Sequence, residues 1–139
     1  MPTTTAQRRS GPYQMRVDRA GVFHAWGAGL EEVFGYTEAE VLGRNLEFLI
    51  PPRLRPLHRR GFGKALATGR LRHQGKVVRA VGVHKGGHLV PFRAVDILEF
   101  GEDGTVETVA AVIMDHGWGS MVQRVAFDER RIDAPATAG

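Results

Sequence analysis

KVVRAVGVHKGGHLVPFRAVDILEFGEDGTVETVAAVIMD, residues 76–115, is the stretch whose reading decides the fold. Val, Ile and Phe recur there with period two in three segments, 76–84, 88–100 and 105–115. That alternation suits strands that bury one face. Between the segments stand Lys85-Gly86-Gly87 and Gly101-Glu102-Asp103-Gly104, turn chemistry that reverses a chain in a few residues. The stretch therefore predicts a three-stranded antiparallel meander.

Just upstream, PLHRRGFGKALATG at residues 56–69 changes the period. Pro56 suits a first helical turn, where its missing N–H costs nothing, and Gly69 suits the position past the last turn, so a helix is expected between them. Leu54, Leu57, His58, Gly61, Phe62, Ala65 and Leu66 fall on one stripe, and Arg53, Arg55, Arg59, Arg60 and Lys64 fall largely off it. His58 therefore points where the apolar side chains point. A histidine facing a core needs a hydrogen-bond partner there or something to ligate.

Further upstream, Thr37 and Glu40 form a capping box, which predicts a short helix over residues 38–42 ended by Gly43. Residues 30–34 read as a helical turn stopped by Gly35, residues 21–26 as a strand, and residues 45–50 as a compact apolar turn closed by Pro51 and Pro52. Residues 1–19 read as an arm or cap, residues 20–116 as one domain, and residues 117–139 as a tail with Met121, Val122 and Val125 on one side of a short helix. The architecture expected is α+β: an antiparallel sheet of about five strands with short helices on one face.

Composition excludes several functions. The chain has 139 residues, 42% of them hydrophobic and 24% charged, which is ordinary for one folded domain. It has no cysteine, so disulfides, thiolate metal sites and cysteine nucleophiles are ruled out. No apolar run approaches the length that spans a bilayer, and the expected setting is cytoplasmic without membrane association. No nucleophile elbow, HExxH or phosphate-cradling glycine loop appears, so an enzyme is not expected. The net charge of +4 hides an asymmetry. Between Glu47 and Asp96 there is no carboxylate, yet Arg53, Arg55, Arg59, Arg60, Lys64, Arg70, Arg72, Lys76, Arg79, Lys85 and Arg93 all lie there. Such a region attracts anions, although no helix-turn-helix, zinc-finger or aromatic-interleaved pattern argues for nucleic acid.

The chain resembles a PAS (Per-Arnt-Sim) sensor domain over roughly residues 20–116. The residues that carry the likeness are Gly21-Val22-Phe23, Trp26, the EEVFGYT of residues 31–37, Gly43-Arg44-Asn45, Leu49-Ile50-Pro51, Thr68-Gly69, His84-Lys85-Gly86-Gly87, Pro91 and Met114-Asp115. Gly86 stands where the family usually has Asp, and Met114 where it usually has Arg. The light-oxygen-voltage branch has a reactive cysteine after its Gly-x-Asn; Leu46 stands there. This removes covalent flavin photochemistry and leaves non-covalent flavin binding open.

The haem branch, of the FixL type, is similar in spacing. Its proximal histidine precedes the glycine of a Thr-Gly pair by eleven residues and follows a Leu-x-Pro turn, as His58 does relative to Gly69 and to Leu49-Ile50-Pro51. The resemblance implies haem b held by His58, with Leu57, Phe62, Leu66, Val78 and Ala94 around it, and with Lys64 and Arg72 at the propionates. A diatomic gas (O2, CO or NO) or redox state would be the signal. The branch's distal arginine is replaced by Val78, which leaves either Trp118, His116 or Arg79 as a distal donor or an apolar distal side that favours CO or NO, and Asp96 stands where a bulky aliphatic residue is usual. The alternatives are a structural histidine in a cofactor-free interaction module, or a sensor of an acidic or aromatic metabolite using Arg79 or Arg72. A homodimer is expected through the sheet face that carries Val95 and Ile97, with a downstream signalling partner left open. The chain reads as either free-standing or cut from a longer protein.

Overall fold

A computed structural model describes residues 11–117. The three predicted strands form as β3 (Val78–Val83), β4 (Leu89–Phe100) and β5 (Val106–His116), paired antiparallel as a meander. β2 (Phe23–Trp26) lies at the far edge, and with β1 (Gln14–Asp18) beside it the five-stranded order is β2-β1-β5-β4-β3.

One segment departs from expectation. Residues 13–17 were read as belonging to an arm, but Gln14–Asp18 form β1, hydrogen-bonded to both β2 and β5 in the middle of the sheet. Val17 is in the core and Met15 packs against it. The segment is short and interrupted by Gln14, Arg16 and Asp18, so its own pattern is weak; edges offered by β2 and β5 recruit it. The folded domain therefore begins before residue 20.

The helices lie between β2 and β3 in sequence. α1 (Gly29–Phe34) ends at Gly35, whose φ of 83° is the left-handed conformation that closes a helix. α2 (Glu38–Val41) begins at Thr37, and the reciprocal bonds of the capping box are both present. Two 3₁₀ turns, Leu46–Leu49 and Pro52–Leu54, lead into α3 (Arg55–Thr68), which carries proline in its first turn and stops at Gly69 with φ 70°.

The core lies on the inner sheet face, under the helices. Phe23, Trp26, Leu30, Val33, Phe34, Val41, Leu49, Val90, Ala94 and Ile113 form one buried cluster with Val17. Phe34 is its hinge point: Trp26 and Phe92 stand 5.9 and 5.4 Å from it, centroid to centroid. Edge-to-face and tilted packing of this kind adds to area burial. On the outer face, Ile97 is exposed as expected, whereas Val95 is half-buried.

Candidate functional site

α3 presents the candidate site. Leu54 and Ala65 are buried, Leu57, His58, Phe62 and Leu66 are half-buried, and Arg59, Arg60 and Lys64 are exposed. This is the stripe read from the sequence, except that Gly61 faces solvent. Phe62 packs against the core cluster and seats the helix on the sheet.

His58 stacks on Phe62, one turn away, with centroids 5.7 Å apart and planes at 25°. Stacking covers a face of the ring. Neither nitrogen makes a hydrogen bond among the described residues. Burial holds the His58 pKa below the ordinary 6.5, while the Asp96 and Glu47 carboxylates pull the other way and Arg59 reinforces the lowering. At neutral pH the ring is uncharged and offers a lone pair.

The opposite wall is β3 and β4. Val78 pairs with Ala94, and Ala94 with Ile113; Ala94 is only 2% exposed. Asp96 lies two residues further along β4, hence on the same face. Its Oδ2 is 2.8 Å from His73 Nε2, in the loop after α3. That bond raises the His73 pKa above 6.5 against a smaller lowering from burial. The resemblance marks Asp96 only as standing where a bulky aliphatic residue is usual, and it gives His73 no role. The signal that could have joined them is that Asp96 is the first carboxylate after Glu47 in a strongly basic stretch.

The fold brings His58, Phe62, Val78 and Ala94 to one region and leaves other expected residues outside it. Lys64 and Arg72 are exposed, and Trp118 lies outside the described residues. Arg59 is held by Glu47 through two 2.9 Å bonds, which ties α3 to the first 3₁₀ turn. Asn45, of the Gly-x-Asn, is spent on structure: it caps the same turn at Glu47 and donates to the Ala20 carbonyl. His84 and His88 flank the β3–β4 turn as expected. His88 is exposed, but His84 is half-buried, and the two rings stack at 4.2 Å.

No protein-family profile matches the chain. Solved structures do. The PAS domain of a Colwellia psychrerythraea protein is similar with a TM-score of 0.61 and 17% identity, over 78% of this chain and 93% of that one. A light-oxygen-voltage domain studied with a flavin analogue is similar at 0.63 and 19%, over 94% and 96%. The RpfR quorum-sensing receptor PAS domain of Cronobacter turicensis, in complex with C12:0, is similar at 0.56 and 17%, over 74% and 93%. What they share with this chain is the fold: a five-stranded antiparallel sheet with short helices, the PAS fold. Among the described residues, no helix is long and apolar enough to cross a membrane.

Proposed function

We propose that this chain is a PAS sensor module that takes a ligand between α3 and the inner face of the sheet, and that the ligand is haem b held by His58. The observation that carries the reading is the neutral imidazole on the inward stripe of α3 with both nitrogens unpaired. A polar group drawn partly out of water and left without a protein partner is costly, and an iron ligand would satisfy it. The residues present are compatible with the group. Phe62, Leu57 and Leu66 flank His58 with apolar surface, and the anion on the opposite wall, Asp96, is already paired with His73. Lys64 and Arg72 are exposed, and in this reading they meet the propionates. Bound haem would supply an iron that takes a diatomic gas or changes redox state.

Relatives in fold also bear on the reading. The RpfR domain is in complex with C12:0, and a flavin analogue was used with the light-oxygen-voltage domain; the same region of this chain is therefore tested with compounds of both kinds as well as with haem. A second reading, a cofactor-free association module, draws support from Ala94 and Ile113, which are 2% and 5% exposed because the chain's own core cluster covers them. In that reading the exposed Ile97 belongs to a homodimer face.

The test is reconstitution of purified chain with hemin, and separately with flavin mononucleotide and dodecanoate. Haem binding gives a Soret band that His58→Ala removes or shifts. A wild-type protein that takes up no haem, or an unchanged band in His58→Ala, ends the haem reading; stabilisation by either other compound then identifies the ligand class instead.

A further inference from the structure

β3 and β4 are unequal in length. β3 has 6 residues and β4 has 12, and their ladder joins residues 78–83 to residues 89–94. Residues 95–100 of β4 run on past the start of β3, and among the described residues no strand pairs with them on that side. Val77, which the register would set opposite Val95, has already left the ladder. The loop of residues 69–77 does not complete it. Its backbone bonds stay within the loop, Gln74 N–H to the Leu71 carbonyl at 3.3 Å and Lys76 N–H to the His73 carbonyl at 3.0 Å, and it reaches β4 through the His73 side chain.

Ladder alternation identifies the backbone groups left over. Ile113 N–H donates to the Tyr13 carbonyl at 2.9 Å, so the odd-numbered residues at that end of β5 turn to β1, and Val112 and Ala110 turn to β4. Their partners there are Val95 and Ile97. Asp96 and Leu98 therefore point N–H and C=O away from β5, toward the vacant side. The β3–β4 turn gives the same parity. His84 N–H donates to the His88 carbonyl at 2.8 Å, which sets residues 90, 92 and 94 facing β3, and 96 and 98 with them. The far edge of the sheet is closed instead: Phe23 N–H bonds the Arg44 carbonyl and Gly43 N–H the Phe23 carbonyl, both at 3.0 Å.

The bare stretch lacks the usual protections of an edge. It holds neither proline nor lysine, and its carboxylates are engaged, Asp96 with His73 and Glu99 with Arg16. Three exposed hydrophobic side chains, Val77, Ile97 and Phe100, belong to it or to the residue that leaves it. The bordering loop carries Arg70 and Lys76, both exposed, and no carboxylate.

We propose that residues 95–100 of β4 are a docking edge for an extended acidic segment of a partner protein, which adds to the sheet as a strand in line with β3. Main-chain bonds to Asp96 and Leu98 give affinity, and alternate side chains give specificity. The edge is roughly 20 Å long, at about 3.3 Å per residue. On the outer face, apolar residues of the segment meet Val77 and Ile97; on the inner face, its acidic residues meet the loop that carries Arg70 and Lys76. The charge of that loop also decides against a second copy of this chain, because joining two such edges would bring two basic loops together. The edge is separate from the α3 site and independent of what that site holds.

The experiment is amide hydrogen exchange followed by NMR on the full chain, alone and with a labelled octapeptide of alternating Val and Glu whose affinity is read by fluorescence anisotropy. In the free chain the amides of Asp96 and Leu98 should exchange about tenfold or more faster than those of Val95 and Ile97, and the peptide should slow them by a similar factor. The same peptide with Lys in place of Glu, or fully N-methylated, should not bind. Arg70→Glu combined with Lys76→Glu, both at exposed positions, should weaken binding by about tenfold. Slow exchange at Asp96 and Leu98 in the free chain, or protection that grows with protein concentration alone, overturns the proposal. So does an acidic peptide that leaves both amides unprotected, or equal binding of the N-methylated form.

Discussion

His73 Nε2 lies 2.8 Å from Asp96 Oδ2, a bond that joins the loop after α3 to the inner face of β4. The same carboxylate acts on His58 from across the site and raises its proton affinity against the effect of burial. One anion therefore couples two histidines that are fifteen residues apart in the chain. Asp96→Asn removes this coupling. The His73 pKa should fall and the His58 pKa should fall further below 6.5, both read from the pH dependence of the imidazole carbon-proton shifts. Unchanged His58 titration would show that Asp96 does not act on it.

Stability should depend on pH in opposite senses for the two rings. His58 and His84 are held below their unfolded value of 6.5, so the unfolded chain binds their protons more readily; their contribution is present above pH 6.5 and is lost as pH falls below it. His73 is raised, so its contribution is complete below pH 6.5 and is lost as pH rises through its elevated pKa. Thermal melts between pH 5 and 8 should show His58→Gln flattening the acid limb and His73→Gln flattening the alkaline one. A common shift of both limbs would contradict the assignment.

Gly61 and Gly63 sit inside α3 at exposed positions, and a Cβ on either would meet nothing within 4 Å. Glycine in a helix interior costs roughly 0.5–1 kcal/mol relative to alanine. Gly61→Ala and Gly63→Ala should each raise stability by about that amount in urea melts, with α3 otherwise unchanged. A loss of stability would mean the helix needs freedom at these positions.

Gly35 behaves in the reverse way. Its φ is 83°, and a side chain there would strike the His84 ring. Gly35→Ala should destabilise by about 1–2 kcal/mol from backbone strain alone, with more from the collision. Gly35→Ala combined with His84→Ala should recover the collision part only, which a double-mutant cycle in denaturant measures.

Thr37→Ala removes the hydroxyl that accepts from Glu40 N–H at the start of α2. Loss of such a cap costs roughly 1 kcal/mol. Equilibrium unfolding gives the value, and Thr37→Ser, which keeps the oxygen, should restore most of it.

Local chemistry by itself determined the meander, both glycine turns, the capping box and the inward stripe of α3. Each is written in residues close together in the chain: alternating Val and Ile, Gly86-Gly87, Thr37 with Glu40, and Leu54, His58, Phe62 and Ala65 at helical spacing. What the sequence left undecided depends on residues far apart. β1 is a central strand because β2 and β5 both offer it hydrogen-bonding edges, although Gln14, Arg16 and Asp18 break its pattern. The His73–Asp96 bond spans 23 residues, and the wedge of His84 against Gly35 joins a hairpin to a helix end. No local period encodes such meetings; they exist only once the sheet order has placed β4 opposite α3 and the β3–β4 turn beside α1, because the free energy that selects them is that of burying one shared core.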